Sequence, residues 1–190
     1  MQIKHTSNNS APCDKYRPDR VYSHFQEFID NLPYLLMILI GAAISLIGLN
    51  MSIWGIIAAG VFILYGIIGA LWIILFVCPY CHYYNTRSCP CGYGKLSAKI
   101  RKKSKEEKFS EKFRKHIPVI IPLWIFPVLE GIILLSTHYN PLLLILIIAF
   151  IINSYLLLPL LARIYGCAHC PQKNDCPWMF KKRSQINLVT

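Results

Sequence analysis

The chain has 190 residues, 55% of them hydrophobic, with 20 Lys/Arg against 9 Asp/Glu and a formal net charge of +11. An ordinary soluble domain holds about 45–50% apolar residues, so this composition argues against a simple water-soluble fold. The surplus lies in four runs, about 33–49, 52–77, 117–137 and 141–163, each apolar all round rather than along one stripe.

A bilayer core of roughly 30 Å is crossed by about 20 helical residues. The second run meets that length and the first is near its lower limit. The expectation is an all-α integral membrane protein with four transmembrane helices, arranged as two hairpins in a pseudo-repeat, with cytoplasmic Cys-rich loops. In chain order this gives an N-terminal tail (1–32), a first hairpin (33–77), a Cys-rich and basic loop (78–116), a second hairpin (117–163) and a Cys-rich C-terminal tail (164–190). The first run follows some thirty polar residues, with no small-x-small cleavage pattern before Asn50. It therefore reads as a retained span rather than a signal peptide.

Charge placement orients the spans. Residues 1–32 hold four Lys/Arg, 78–116 hold eleven and the segment from Arg163 onward holds five, whereas the turns at Asn50-Met51 and His138-Tyr139-Asn140 hold none. The positive-inside rule puts all three basic segments, and both termini, in the cytoplasm, in a multi-pass protein of the cytoplasmic membrane.

The first two helices join through Asn50-Met51, and their small residues (Gly41, Ala42, Gly48, Gly55, Ala59, Gly66, Ala70) suit close helix packing. In the basic loop, Lys95 to Lys115 carries ten Lys/Arg against Glu106, Glu107 and Glu111. Leu96 and Ile100, then Phe109 and Phe113, give a narrow apolar edge at helical spacing. Residues 95–115 are thus expected to lie on anionic lipid head groups. A cytoplasmic membrane loop is basic in any case, so nucleic acid is not expected as a partner. The third helix carries Pro118, Pro122 and Pro127, and the fourth Pro159; each removes a backbone donor and can kink its helix.

The eight cysteines stand outside the apolar runs, at 13, 78, 81, 89, 91, 167, 170 and 176. Two Cys-x-x-Cys pairs, Cys78-Pro-Tyr-Cys81 and Cys167-Ala-His-Cys170, begin where helices 2 and 4 end, and each is followed by a further cysteine (Cys89, Cys176). This is the signature of a parallel repeat. In a reducing cytoplasm disulfides are disfavoured, which leaves metal ligation or thiol chemistry. Cys78, Cys81, Cys89 and Cys91 supply four thiolates for one site, and Gly92 and Gly94 let the backbone close around it. Cys167, Cys170 and Cys176 supply three for another, with Cys13 as the fourth ligand and His169 as a weaker candidate.

Zinc and iron–sulfur clusters both use four thiolates. Neither ferredoxin spacing is present. The bilayer already supplies a core, and paired sites at one membrane face suit electron passage to a lipid-soluble carrier, so iron–sulfur stands narrowly ahead of zinc. Cys78-Pro-Tyr-Cys81-His82 matches the c-type haem signature, but its expected side of the membrane is wrong for haem attachment, and Pro171 follows Cys170. The histidines (5, 24, 82, 116, 138 and 169) lie outside the spans or at their ends, which leaves a b-type haem unsupported. No thioredoxin-like βαβ pattern surrounds either pair, so dithiol exchange is a minor reading.

Glu130 is the only ionisable residue well inside a span, with Asn153 near the middle of the fourth. Such a carboxyl marks a functional site by default; the plainer alternative is a protonated Glu130 bonded to Asn153 or to a carbonyl freed by a proline. The chain is expected to be an electron-transfer subunit with a redox partner or quinone, alternatively a membrane scaffold with structural zinc, or a transporter or metal-handling protein using Glu130.

Overall fold

The computed structural model describes residues 21–137 and 139–167, with Cys170 and Gln172, and of residues 165–167 the backbone alone. Among the described residues the protein is helical and contains no strand. Four helical spans, His24–Gly48, Ile53–Tyr80, Glu106–Thr137 and Pro141–Ile164, are long and apolar enough to cross a membrane.

Helix α1 (His24–Gly48) begins well before the apolar run at 33 because Ser23 caps it. The Ser23 hydroxyl accepts from the Gln26 amide at 3.3 Å, and the Gln26 side chain accepts from the Ser23 amide at 3.0 Å. This reciprocal pair satisfies two backbone donors that the first turn would otherwise leave open. Pro33 lies inside α1 and is buried. Its carbonyl accepts from Asn153 Nδ2 at 2.8 Å, tying α1 to the fourth span.

The chain leaves α1 through Asn50 and Met51, both left-handed at φ 50° and 53°. Asn tolerates that region; for Met it is uncommon. The Met51 amide bonds back to the Leu46 carbonyl at 2.7 Å, which satisfies an end-of-helix acceptor. Ser52 then caps α2 (Ile53–Phe76) by accepting from the Gly55 amide.

Helix α1 packs against α2 and against helices of the third and fourth spans, Pro122–Thr137 and Pro141–Ile151. Gly41 lies against the Phe62 ring and Gly66 against Ile38, so these two small residues serve helix contact, as their spacing suggests. Met37, Ile44, Leu123, Leu143 and Phe150 are fully buried at the centre. Many α2 side chains, among them Ile56, Val61, Leu64, Ile68 and Leu71, stay exposed. Between helices in lipid, tight contact and hydrogen bonds replace the hydrophobic driving force. Tyr34 Oη to the Gly66 carbonyl at 2.8 Å is one such bond.

The third span is built from a 3₁₀ turn (Glu106–Lys108), α4 (Phe109–His116), a second 3₁₀ turn (Ile117–Ile120) and α5 (Pro122–Thr137). Pro118 and Pro122 stand at element starts, where a missing N–H is tolerated; Pro127 alone lies within α5. In the fourth span Asn140 caps α6 (Pro141–Ile151), its Oδ1 accepting from the Leu142 amide at 2.9 Å. The wider π-helical stretches Ile152–Leu157 and Ala162–Cys167 flank α7 (Leu158–Leu161), which contains Pro159. A proline within a helix removes a ladder bond, and such local widening re-routes it.

The basic segment does not run as one helix through 95–115. It forms α3 (Tyr93–Ile100) and α4, separated by an extended stretch from Arg101. Two loop contacts hold that break open: the Ser104 amide donates to the Pro79 carbonyl at 2.9 Å, and Tyr84 Oη donates to the Arg101 carbonyl. Phe109 is buried and pairs with Phe113 at 5.7 Å between ring centroids, so that part of the apolar edge faces protein.

Candidate metal centre

Where α2 ends, Pro79 sets a single 3₁₀ turn, Cys78–Tyr80, closed by the Cys81 amide on the Cys78 carbonyl at 3.1 Å. The chain then loops through Tyr83, Asn85 and Cys89 before Gly92, at φ 73°, starts α3. Gly94 packs so closely that an added Cβ would stand 2.5 Å from the Tyr83 carbonyl oxygen. That closeness lets the Gly94 amide donate to Cys89 Sγ at 3.3 Å. Cys89 Sγ and Cys91 Sγ are 3.7 Å apart.

The N-terminal turns of α1 hold this loop. Asn31 Nδ2 donates to the Cys91 carbonyl at 2.9 Å and to the Glu27 carbonyl at 2.7 Å. Lys95 Nζ pairs with Glu27 at 2.6 Å, and the Tyr22 amide donates to the Arg87 carbonyl at 3.1 Å. From the other side Gln172 joins the segment beyond the fourth span to the same loop. Its Oε1 accepts from the His82 amide at 3.0 Å, while Nε2 donates to the Tyr80 and Glu106 carbonyls at 3.4 Å. His82 Nδ1 lies 2.9 Å from Glu106 Oε2.

The outcome is a cavity of about 320 Å³ that takes cysteines from both halves of the chain: Cys78, Cys81, Cys89 and Cys91 with Cys170. Aromatic and aliphatic side chains, Phe109, Phe113 and Trp124 among them, complete its wall. None of the five is joined in a disulfide among the described residues. Cys13 and Cys176 lie outside the described residues, as does His169, and of Cys167 only the backbone is described. The expected second site therefore enters the structure through Cys170, which lines the same cavity as the first four.

Electrostatics divide these sulfurs. The hydrogen bond from Cys91 holds the Cys89 thiol below its ordinary pKa against the cost of burial, and the Gly94 amide adds to that. The same contact with Cys89, and after it loss of solvent around the sulfur, pushes Cys91 well up. Burial also pushes Cys81 up. The cavity thus presents one sulfur ready to ionise beside others held as thiols.

Among the described residues, no three His, Cys, Asp or Glu side chains stand close enough together to hold one metal ion. The Cys89–Cys91 separation of 3.7 Å does match the edge of a tetrahedron whose centre lies about 2.3 Å from each sulfur, the usual zinc–thiolate length. Cys78, Cys81 and Cys170 share the cavity without closing on that edge.

Glu130 finds a partner the residue pattern did not suggest. Ser45 Oγ, buried in α1, donates to Glu130 Oε2 at 2.7 Å, while Asn153 turns to Pro33. The bond between Glu130 and Asn153 is replaced by two bonds that each reach α1. Compared with known protein families, curated proteins and solved structures, the chain finds no match.

Proposed function

We propose that the chain is a multi-pass protein of the cytoplasmic membrane, folded as two hairpins, whose cytoplasmic cysteines hold an iron–sulfur cluster for electron transfer. The observation that carries this reading is the single cavity lined by sulfurs from both halves of the chain. Its volume of about 320 Å³ exceeds what a lone ion needs, and its apolar wall gives the low-dielectric setting in which cluster potentials are tuned. Such a cluster supplies one-electron chemistry. The polypeptide would seat it at the membrane surface, exclude water with Phe109, Phe113 and Trp124, and leave Cys89 as the first ligand to ionise. The donor would be a reduced cytoplasmic protein. A quinone acceptor would take two electrons, one at a time, and two protons to become the quinol.

A second reading rests on the Cys89–Cys91 spacing, which suits one tetrahedral ion: a membrane scaffold stapled by zinc. The two separate on anaerobically purified full-length protein. Brown protein with iron and acid-labile sulfide, losing both in Cys170→Ser, supports the first; colourless protein with stoichiometric zinc refutes it.

A further inference from the structure

A second hollow, independent of what the cysteines hold, opens where α2 leaves its span. It measures about 510 Å³ and is bounded by Phe76, Pro79 and Tyr80 below, the extended stretch from Arg101 to Ser104 at one side, and Lys112 and His116 of α4 at the other. Four cations line it, and two are held over aromatic rings. The Arg101 guanidinium carbon lies 5.6 Å from the Phe76 ring centre, and Lys112 Nζ lies 5.8 Å from that of Tyr80. Such contacts fix a cation's position without neutralising it.

Acid in the neighbourhood accounts for only part of this charge. Glu106 pairs with Lys103 at 2.7 Å, and Glu111 reaches Lys112 only at 3.9 Å. Among the described residues no ion pair is formed by Arg101 or Lys102. His116 adds a neutral donor. Trp72 Nε1 donates to its Nδ1 at 3.2 Å, so the ring's own hydrogen sits on Nε2. The ring is fixed by stacking on Phe76 at 5.2 Å.

We propose that this pocket binds the phosphate of an anionic phospholipid head group. A guanidinium, ammonium groups and a ring N–H around one polar hollow are the donors a phosphate oxygen takes. The rim selects lipid over a soluble phosphate. Leu75 and Phe76 line the hollow at the end of an apolar span, Ile100 beside them is exposed, and the α2 face leading away carries exposed Ile68 and Leu71. An acyl chain lying along that face would bring its phosphate to Arg101 and Lys112.

The test is native mass spectrometry of the full-length protein released from detergent, with phosphatidylglycerol and phosphatidylcholine as competing probes. One phosphatidylglycerol is expected to remain bound in preference to phosphatidylcholine. Arg101→Gln with Lys112→Gln should weaken its retention by about tenfold or more. A control that removes two exposed lysines outside the hollow, Lys99→Gln with Lys108→Gln, should leave it unchanged. Circular dichroism on both variants checks that the helices persist, and Arg101→Lys, which keeps the charge, should retain most binding if the pocket variant misfolds. Equal loss in the pocket and control variants would overturn the site in favour of diffuse attraction. Displacement by inorganic phosphate as readily as by the lipid would overturn the lipid assignment.

Discussion

Replacing Gly94 by alanine tests the construction of the cysteine loop at its tightest point. The new Cβ would stand 2.5 Å from the Tyr83 carbonyl oxygen and 3.5 Å from Cys89 Cβ. Ordinary contact begins near 3.4 Å, so backbone must retreat from backbone by close to an ångström; no flexible side chain can absorb the overlap. Two bonds run through that point, Gly94 amide to Cys89 Sγ at 3.3 Å and Asn85 amide to the Gly94 carbonyl at 3.2 Å. Overpacking of this kind costs about 1–3 kcal/mol, and for a chain of this length each kcal/mol moves the melting point by about 2–4 °C. Gly60→Ala is the matched control, since nothing lies within 4 Å of the added carbon. It should be neutral or stabilising by up to about 1 kcal/mol through helix propensity. The assay is thermal unfolding in detergent, paired with the pH dependence of Cys89 alkylation in metal-free protein, read by peptide mass spectrometry. The Gly94 amide helps stabilise the Cys89 thiolate, so weakening that bond must move the alkylation profile to higher pH. Gly94→Ala melting with Gly60→Ala, and alkylating with the wild-type profile, would refute the close approach.

Ser45→Ala removes the donor to Glu130 and should destabilise the protein by about 1–3 kcal/mol in thermal unfolding, as expected for a half-buried acid losing its partner. Glu130→Gln keeps an acceptor for Ser45 and should melt near the wild type, so a loss of turnover there would be chemical rather than structural. Gln172→Ala breaks three bonds to the cysteine loop and should speed maleimide labelling of Cys170 with helical content unchanged; unaltered labelling would discount that tether. Burial and the Cys89 contact keep Cys81 and Cys91 as thiols, so if the proposed metal site forms there, binding must expel their protons. Affinity, measured by chelator competition, should then rise by up to about tenfold per proton released for each pH unit, and a flat profile would argue against thiolate ligation.

Much of the architecture was legible because it is local. Four apolar runs become four spans through length and hydropathy alone, and the Gly41 and Gly66 contacts follow from residue size. The start of α1 had a local signal too, in Ser23 and Gln26 three residues apart, but the polar residues before 33 set the expected boundary nine residues further in than His24. The cysteine spacing marked Cys78 to Cys91 as one cluster. It could not reveal that Cys170 lines the same cavity, because that depends on Gln172 reaching residues about ninety positions away. Spacing within one helix likewise gave no sign that Ser45 of α1 would satisfy Glu130 or that Ser104 would be drawn to Pro79. Those pairings exist only once the helices have packed.

The tether made by Gln172 also sets an order of events in biosynthesis. Four of the described cavity cysteines emerge from the ribosome after two spans, but the fifth follows the fourth span. The cavity can gain its fifth sulfur and the Gln172 tether only after the fourth span has been made, so a chain arrested halfway carries four of these thiols and one carried to completion carries all five around one cavity.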